Sequence, residues 1–434
     1  MTMTIEEQAK RARKAALRIA SASTEAKNGA LRRVAKKLDD NRLAILKANE
    51  EDVQGAKKEN LTSALIKRLE LNDKKIDEII EGVRSVIELE DPVGKVLSAT
   101  ELDESLKLYK VSTPIGVIGV IFESRPDALV QISSLCLKSG NAVILKGGSE
   151  AKNSNRILYN LIKDAIEENE IFKDAIQFVE TREDVRELLK LDSYIDLMIP
   201  RGSNALVRYI QDNTKIPVLG HSDGICHVYI DEDADLEMAV DIAFDSKCQY
   251  PAVCNAMETL LVHRALAEKF LKAIKPRYDE AGVELKGDAD VRAVIDCNAA
   301  SEDDWSKEYN DLILSIRIVN SLNDAIDHIN QYGSHHTDAI VTTNEKAAER
   351  FLNEVDSSSV MWNCSTRFSD GFRYGLGSEV GISTGKIHSR GPVGLEGLTI
   401  YKYKLLGNGE IVEDYVEGRK KFTHRRVVDR RNTA

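Results

Sequence analysis

The sequence predicts an α/β protein with mostly parallel sheets. Short apolar runs alternate with helical stretches from Ile115 to Leu219, and a second alternating series runs from Cys226 to residue 363. This alternation is typical of βαβ units, in which a helix connects two parallel strands. The chain has 434 residues, which is long for one hydrophobic core and therefore favours two or three domains.

The two ends of the chain have different patterns. Apolar residues recur three and four positions apart through residues 5–87, which predicts amphipathic helices. Residues 96–112 alternate with many polar positions and predict a hairpin or arm that can pair with another subunit. Tyr401–Leu406 and Glu410–Tyr415 flank Gly407-Asn408-Gly409, which predicts a C-terminal hairpin because Gly and Asn tolerate a positive φ.

Each alternating series predicts several strands. In the first, a helix begins at Pro126 and ends before Gly140, as proline and glycine favour at helix ends. The strands predicted in the first series are Ile115–Ile121, Ala142–Leu145, Ile176–Val179, Ile195–Ile199 and Ile216–Leu219. Those predicted in the second are Cys226–Ile230, Glu258–Val262, Ile313–Val319, Ala339–Thr342 and residues 358–363.

Composition excludes several classes of function. The net charge of -11 disfavours non-specific nucleic-acid binding. No apolar stretch approaches the roughly 20 residues that a membrane helix needs, and Met1 to Lys10 contains no apolar signal segment. We therefore expect a cytoplasmic protein. The basic tail from Arg419 to Arg431 is interpreted as a solvated end or a subunit contact, with an anionic partner as the alternative.

Cys254 is the outstanding candidate for chemistry. The six cysteines are scattered and show neither a disulfide framework nor zinc-ligand spacing, so no metal is expected. Cys254 lies in the segment Gln249–Thr259, between a predicted helix and a predicted strand, after Pro251. A short loop at such a boundary presents a thiol that can act as a nucleophile. A buried, inert thiol is the alternative.

Two loops have a form suited to phosphate. Lys146-Gly147-Gly148-Ser149-Glu150 and Pro200-Arg201-Gly202-Ser203-Asn204 each follow a predicted strand and precede a predicted helix. Glycines let backbone N–H groups approach an anion, which the helix N-terminus also favours. A plain turn, with Ser203 as a helix N-cap, is the alternative. Two such loops in neighbouring βαβ units indicate a nucleotide site at the carboxyl ends of the strands.

Four other segments contain polar or glycine-rich candidates. Arg125, in Phe122-Glu123-Ser124-Arg125-Pro126, can hold a phosphate or carboxylate, or can form a surface ion pair. His221 can act as a general base or be structural. His335-His336 is interpreted as a polar loop pair without a metal, and Gly375–Thr384 as a loop shaped around a ligand or merely irregular.

Taken together and in this order, these segments resemble the γ-glutamyl phosphate reductases, also called glutamate-5-semialdehyde dehydrogenases, of the aldehyde dehydrogenase superfamily. The resemblance runs from Ser112 to Tyr403. It is carried by Thr113-Pro114-Ile115-Gly116-Val117, Phe122-Glu123-Ser124-Arg125-Pro126, Leu145-Lys146-Gly147-Gly148, Pro200-Arg201-Gly202, Val253-Cys254-Asn255-Ala256-Met257-Glu258-Thr259 and Arg390-Gly391-Pro392-Val393-Gly394-Leu395.

The resemblance implies an architecture. It implies a Rossmann-type cofactor domain, an α/β catalytic domain and a β-ribbon through which subunits form a homo-oligomer. We assign residues 1–96 and 113–222 to the cofactor domain and residues 223–397 to the catalytic domain. The ribbon is then formed by residues 97–112 and 398–434.

The resemblance also implies a reaction. NADPH reduces L-glutamyl 5-phosphate to L-glutamate 5-semialdehyde and phosphate, a step of L-proline biosynthesis, through a thioester on Cys254. The Cys254 N–H and Ser124 would stabilise the oxyanion, and Arg125 would hold the phosphate. The implied cofactor-binding residues are Lys146, Gly147, Gly148, Ser149, Gly202, Ser203 and Glu308. The glutamate 5-kinase that supplies the substrate is an expected partner.

Two departures from the wider superfamily refine this expectation. Val218 stands where hydrolysing relatives carry the glutamate that activates water, so the thioester is expected to survive. Ser149 replaces an acid that would repel a 2′-phosphate, which together with Lys146 favours NADP over NAD. The alternatives are a hydrolytic aldehyde dehydrogenase and a non-enzymatic scaffold or nucleic-acid binder that acts through the basic tail.

Overall fold

Five helices precede the first sheet, as predicted. The computed structural model describes residues 3–221 and 223–427. Thr4 and Glu7 form a capping box at the start of the first helix, whose apolar face is buried. The helices are α1 (Ile5–Ile19), α2 (Thr24–Asp40), α3 (Arg42–Lys58), α4 (Ser63–Leu69) and α5 (Asp73–Glu88). Two antiparallel strands, β1 (Val96–Asp103) and β2 (Leu106–Pro114), then form the predicted hairpin.

The first parallel sheet has the strand order β5-β4-β3-β6. Its elements are β3 (Val117–Phe122), α6 (Pro126–Lys138), β4 (Ala142–Lys146), α7 (Lys152–Glu167), β5 (Ile176–Val179), α8 (Arg182–Leu188), β6 (Leu197–Arg201) and α9 (Asn204–Asn213). The predicted strand Ile216–Leu219 is wrong. Only Val218 forms a bridge, to Met198, because Pro217 has no N–H with which to extend the ladder.

The second sheet has seven parallel strands in the order β10-β9-β11-β8-β7-β12-β13. Its elements are β7 (Cys226–Ile230), α10 (Leu236–Cys248), β8 (Met257–His263), α11 (Arg264–Glu280), β9 (Glu284–Gly287), α12 (Ala289–Val294), β10 (Asn298–Ala299), β11 (Ile313–Val319), α13 (Leu322–Tyr332), β12 (Thr337–Val341), α14 (Glu345–Glu354) and β13 (Ser359–Trp362). The sequence did not predict β9 and β10, because these short strands at one side of the sheet lack an apolar run.

The C-terminal part contributes two small antiparallel pairings. Strands β14 (Gly381–Ser383) and β15 (Gly391–Val393) pair with each other. The strand β16 (Thr399–Leu406) lies on β2, and β17 (Arg425–Val427) lies on β1, so the ribbon has four strands. Part of the basic tail, residues 428–431, lies outside the described residues.

The second strand of the predicted C-terminal hairpin is wrong. Residues Val412–Val416 form the short helix α15. Tyr415 stacks on Phe422 at 4.2 Å and donates to Asp103, while the Thr423 N–H donates to the Leu102 carbonyl at 2.8 Å. These contacts direct the chain across to the free edge of β1 instead of back along β16.

The two parallel sheets have separate cores: one supports the first sheet and two support the second. The first contains residues from the N-terminal helices through Leu219 and also the later residues Val380, Val393, Leu395 and Leu398. A second contains apolar residues of β7, β8, β11 and their helices. The chain segment 380–398 therefore packs against the first sheet, and the domain boundaries assigned above remain a prediction. Among the described residues, no helix has the length and apolar character required to cross a bilayer.

Candidate active site

Cys254 lies in a tight turn just before β8. The Ala256 N–H donates to the Val253 carbonyl at 2.9 Å, and the Asn255 amide donates to the Ser369 carbonyl at 2.8 Å. The Cys226 thiol donates to the Cys254 carbonyl at 3.2 Å. The Cys254 residue itself is only partly buried, which does not fit the alternative of an inert core thiol.

A glycine allows this turn to approach the neighbouring strand. A Cβ atom at Gly224 would lie 2.3 Å from the Cys254 carbonyl oxygen and 2.6 Å from its Cα atom. Both contacts are with backbone, which cannot swing away as a side chain can. Gly224 therefore fixes the position of Cys254 relative to β7, and the sequence analysis did not identify it.

His336 is the closest titratable partner of the thiol. Its Nε2 atom lies 3.2 Å from the Cys254 Sγ atom, and its Nδ1 atom lies 2.9 Å from the Thr337 hydroxyl. His336 is completely buried. The ring of His221 packs edge-on against it at 4.9 Å, while His221 Nδ1 contacts the Ile382 carbonyl at 3.0 Å.

The sheet order explains why these residues meet. Gly224 precedes β7, Cys254 precedes β8 and His336 precedes β12, and these three strands are parallel neighbours. Residues that precede adjacent parallel strands share one edge of the sheet. The sequence analysis treated His335-His336 as a polar loop. The signal that identifies His336 is its place directly before a predicted strand, combined with a strand order that the sequence does not give.

Charged side chains from other segments surround the thiol. Arg201 ends β6 and Arg367 lies after β13, where its Nε atom donates to Gln249 at 3.0 Å. Burial lowers the pKa of both arginines. The negative charge of the Cys254 thiolate raises the pKa of each and so opposes the effect of burial. Burial raises the pKa of Glu379, which Arg201 opposes. Arg201 lies in a predicted phosphate loop and Glu379 in the segment Gly375–Thr384, whereas no sequence pattern pointed to Arg367.

The structure does not place Ser124 on Cys254. Ser124 has a φ of 49°, and its hydroxyl donates to the Glu150 carboxylate at 2.8 Å. It thereby joins the end of β3 to the loop that follows β4. Arg125 is exposed and its guanidinium lies 3.3 Å from Asp127, which is the surface ion pair that was the alternative. The predicted roles of Ser124 and Arg125 stay predictions.

The loop after β4 contains two glycines whose Cα atoms lie close to neighbouring side chains. A Cβ atom at Gly147 would lie 2.1 Å from the Asn155 amide nitrogen, and one at Gly148 would lie 2.0 Å from Glu150. The Asn155 amide is buried, and neither its nitrogen nor its oxygen has a hydrogen-bond partner within the described ranges. Lys146 ends β4 and Ser149 is exposed. Glycine backbone at a strand end, next to the exposed Ser149, suits a dinucleotide, and the residues present fit that group.

The second predicted phosphate loop lies beside Glu308, an implied cofactor-binding residue. Ser203 takes the N-cap position of α9, and its N–H donates to Glu123 at 2.8 Å. The Asn204 amide donates to Glu308 at 3.0 Å. Glu308 belongs to the second half of the chain, so this contact links the two halves at the site. Gly202 has no room for a side chain, because a Cβ atom would lie 2.3 Å from Glu123.

The two sheet edges therefore form one cleft. The carboxyl ends of β3, β4 and β6 contribute Ser124, Lys146 and Arg201, and the amino ends of β7, β8 and β12 contribute the thiol and His336. The interaction of Arg201 with Cys254 connects the two sets. A partly buried thiol in contact with a histidine, together with glycine loops after parallel strands, is an arrangement suited to acyl transfer followed by reduction.

Known proteins share the sequence and the fold. The sequence model of the aldehyde dehydrogenase family matches residues 2–304. The gamma-glutamyl phosphate reductase of Pelotomaculum thermopropionicum is 59% identical over 425 residues, with 98% of each chain covered. That of Acetivibrio thermocellus is 57% identical over 425 residues, covering 98% of this chain and 99% of the relative.

A solved structure extends this likeness to three dimensions. The crystal structure of gamma-glutamyl phosphate reductase from Thermotoga maritima superposes with a TM-score of 0.92 at 43% identity, covering 94% of this chain and 99% of that one. The predicted aldehyde dehydrogenase-like α/β fold is confirmed. The chain belongs to the aldehyde dehydrogenase family and, within it, to the γ-glutamyl phosphate reductases, which are oxidoreductases.

Proposed function

We propose that the chain reduces L-glutamyl 5-phosphate to L-glutamate 5-semialdehyde and phosphate with NADPH, through a thioester on Cys254, in L-proline biosynthesis. The observation that carries this proposal is the Cys254–His336 pair, with 3.2 Å between Sγ and Nε2, in the cleft between the two sheets. The relatives that share more than half of the sequence bear the name of this activity.

The first step is attack by sulfur on the acyl phosphate. The Sγ proton passes to His336 Nε2, whose other ring nitrogen then carries a proton toward the Thr337 hydroxyl. The new S–C bond places negative charge on the acyl oxygen. No protein acceptor engages the Cys254 N–H among the described residues, so this N–H is free to donate to that oxygen.

The second step breaks the bond between the acyl carbon and the phosphate oxygen. Phosphate leaves as an anion and needs no strong general acid. The charges of Cys254, the partly buried Glu379 and Arg125 all lie close enough to Arg201 to affect its pKa. We therefore assign Arg201 to the departing phosphate beside the predicted Arg125.

NADPH, when bound, supplies the hydride that reduces the thioester. Lys146 and the bare backbone of Gly147 and Gly148 would hold the nucleotide, together with Gly202, Ser203 and Glu308. Ser149 carries no charge beside Lys146, and the neighbouring Glu150 accepts a hydrogen bond from Ser124. This arrangement supports a preference for NADPH over NADH, since a 2′-phosphate meets no carboxylate at position 149.

The chain lacks the carboxylate that a hydrolytic relative would place near the thioester. Val218 occupies that position in the sequence and forms a bridge to Met198 in the structure. This supports reduction rather than hydrolysis of the thioester. The deciding comparison is between NADP⁺ reduction with and without phosphate, because a hydrolytic enzyme needs none.

The ribbon supports the proposal of a homo-oligomer. Its outer strand presents a row of apolar side chains with exposed fractions between 38% and 60%. They are Ile400, Tyr401, Tyr403, Leu405 and Leu406. A patch of this kind marks an interaction surface. The kinase that supplies the substrate and the cytoplasmic location remain predictions.

The test is phosphate-dependent reduction of NADP⁺ with glutamate semialdehyde. Cys254→Ala is expected to abolish turnover and to retain NADPH binding, measured by fluorescence titration. Cys364→Ser, another partly buried thiol, is the matched control and is expected to keep turnover. Full turnover of Cys254→Ala would overturn the thioester, and turnover that ignores phosphate would favour the hydrolytic alternative.

A further inference from the structure

We propose that Cys254, His336 and His221 form a binding site for a soft divalent cation such as Zn²⁺, and that occupation of this site blocks the nucleophile. One ligand atom from each residue lies within 4.8 Å of the other two. The sequence suggests no such site, because the three residues are separated by more than thirty positions. The fold assembles them from the segment after β6, the turn before β8 and the residue before β12.

The hydrogen bond of His221 leaves its Nε2 atom available as a ligand. A backbone carbonyl only accepts hydrogen bonds, so the 3.0 Å contact between His221 Nδ1 and the Ile382 oxygen places the proton on Nδ1. The Nε2 atom of His221 then carries the lone pair. A ring nitrogen that donates to a backbone carbonyl is the usual support of a histidine that binds a metal through its other nitrogen.

His336 is also hydrogen-bonded through Nδ1. Its Nδ1 atom contacts the Thr337 hydroxyl at 2.9 Å, and its Nε2 atom is the one that lies 3.2 Å from Cys254 Sγ. Burial holds this ring in place. Two imidazoles with hydrogen-bonded Nδ1 atoms therefore lie near one sulfur, and the Nε2 atom of His336 already contacts it.

The ligand set selects the class of cation. A thiolate and two imidazoles suit Zn²⁺, whereas Mg²⁺ and Ca²⁺ prefer oxygen ligands. Zinc bonds of about 2.3 Å to sulfur and about 2.0 Å to nitrogen require ligand atoms roughly 3.5 Å apart. The observed separations, 3.2 Å for one pair and at most 4.8 Å for the others, need only small side-chain movements. Three protein ligands leave the fourth position open.

Metal binding would prevent the proposed reaction. Zn²⁺ replaces the proton of the Cys254 thiol, forming a Zn–S bond and releasing one proton to solvent. The sulfur lone pair is then shared with the metal and His336 Nε2 can no longer accept a proton. Occupation of the site and attack on an acyl phosphate therefore exclude each other.

The direct test uses Co²⁺ as a spectroscopic probe in phosphate-free buffer. A thiolate-to-cobalt charge-transfer band is expected at one Co²⁺ per chain, with displacement by Zn²⁺ and no effect of Mg²⁺. Cys254→Ser is expected to lose the band. His221→Gln and His336→Gln are each expected to weaken binding by more than about tenfold. His388→Gln, in which an exposed histidine contacts the Gly397 carbonyl, is the matched control and keeps wild-type affinity.

The result that overturns the site is absence of the band, its persistence in Cys254→Ser, or unchanged affinity in both His221→Gln and His336→Gln. Zn²⁺ is further expected to inhibit turnover at the Zn²⁺ affinity found from displacement of Co²⁺, and a chelator is expected to restore turnover. Full turnover at saturating Zn²⁺ would overturn the blocking role. The metal site depends on the positions of the three side chains and not on the proposed reaction. If the wild-type protein binds Co²⁺ but does not catalyse that reaction, the metal site stands and only the proposed function is refuted.

Discussion

Gly224→Ala should separate the geometry of the active site from the stability of the fold. The new Cβ atom would lie 2.3 Å from the Cys254 carbonyl oxygen, and comfortable contacts begin near 3.5 Å, so one backbone must move by about 1 Å. Gly224 has no left-handed φ, so the conflict is steric alone. A displacement of about 1 Å at a nucleophile can reduce turnover roughly 100-fold, or about 2.7 kcal/mol in the activation barrier.

The assay is kcat/KM for phosphate-dependent NADP⁺ reduction, together with the melting temperature and the rate of Cys254 alkylation. Gly82→Ala is the matched control, because it adds the same methyl group in α5 where nothing lies within 4 Å. The control should keep wild-type kcat/KM, since alanine favours a helix. A folded Gly224→Ala chain with kcat/KM within twofold of wild type would refute the argument that this glycine positions the nucleophile.

Three further outcomes follow from burial and charge. Burial lowers the pKa of His328 to about 2. Below about pH 6.5 the unfolded chain therefore binds a proton that the folded chain does not. The free energy of unfolding should then decrease by up to about 1.4 kcal/mol for each pH unit. Urea unfolding at pH 5 and 7 tests this, and His328→Gln should flatten the difference; an equal pH slope in both would contradict it. Burial raises the pKa of Cys136 to about 12 and that of Cys226 well above its usual value, so mass spectrometry after brief alkylation of the native chain should find Cys254 labelled and both of these untouched. Glu308→Gln should raise the KM for NADPH several-fold with little change in melting temperature, and an unchanged KM would remove Glu308 from the cofactor site.

The order of elements was predictable because each depends on local pattern. The spacing of apolar residues identified the N-terminal helices, and most strands of both sheets lie within two residues of their predicted bounds. The errors fall where local pattern competes with long-range contact. Pro217 stops a strand that its apolar neighbours favour, and the Tyr415–Phe422 contact converts a predicted strand into α15 and a crossing to β1.

The sequence by itself determined the class of fold and singled out Cys254 as the predicted nucleophile and two loops as predicted phosphate sites, because a thiol in a short loop and glycines after strands are local features. Only the tertiary structure decided what surrounds the thiol. His336, Gly224 and Arg367 reach Cys254 through the order and direction of strands in the second sheet, and Arg201 reaches it across the cleft. Strand order depends on how whole elements pack and leaves no local mark on the residues that it brings together. For the same reason the structure placed Ser124 on Glu150, a contact between two loops that the sequence could only treat separately.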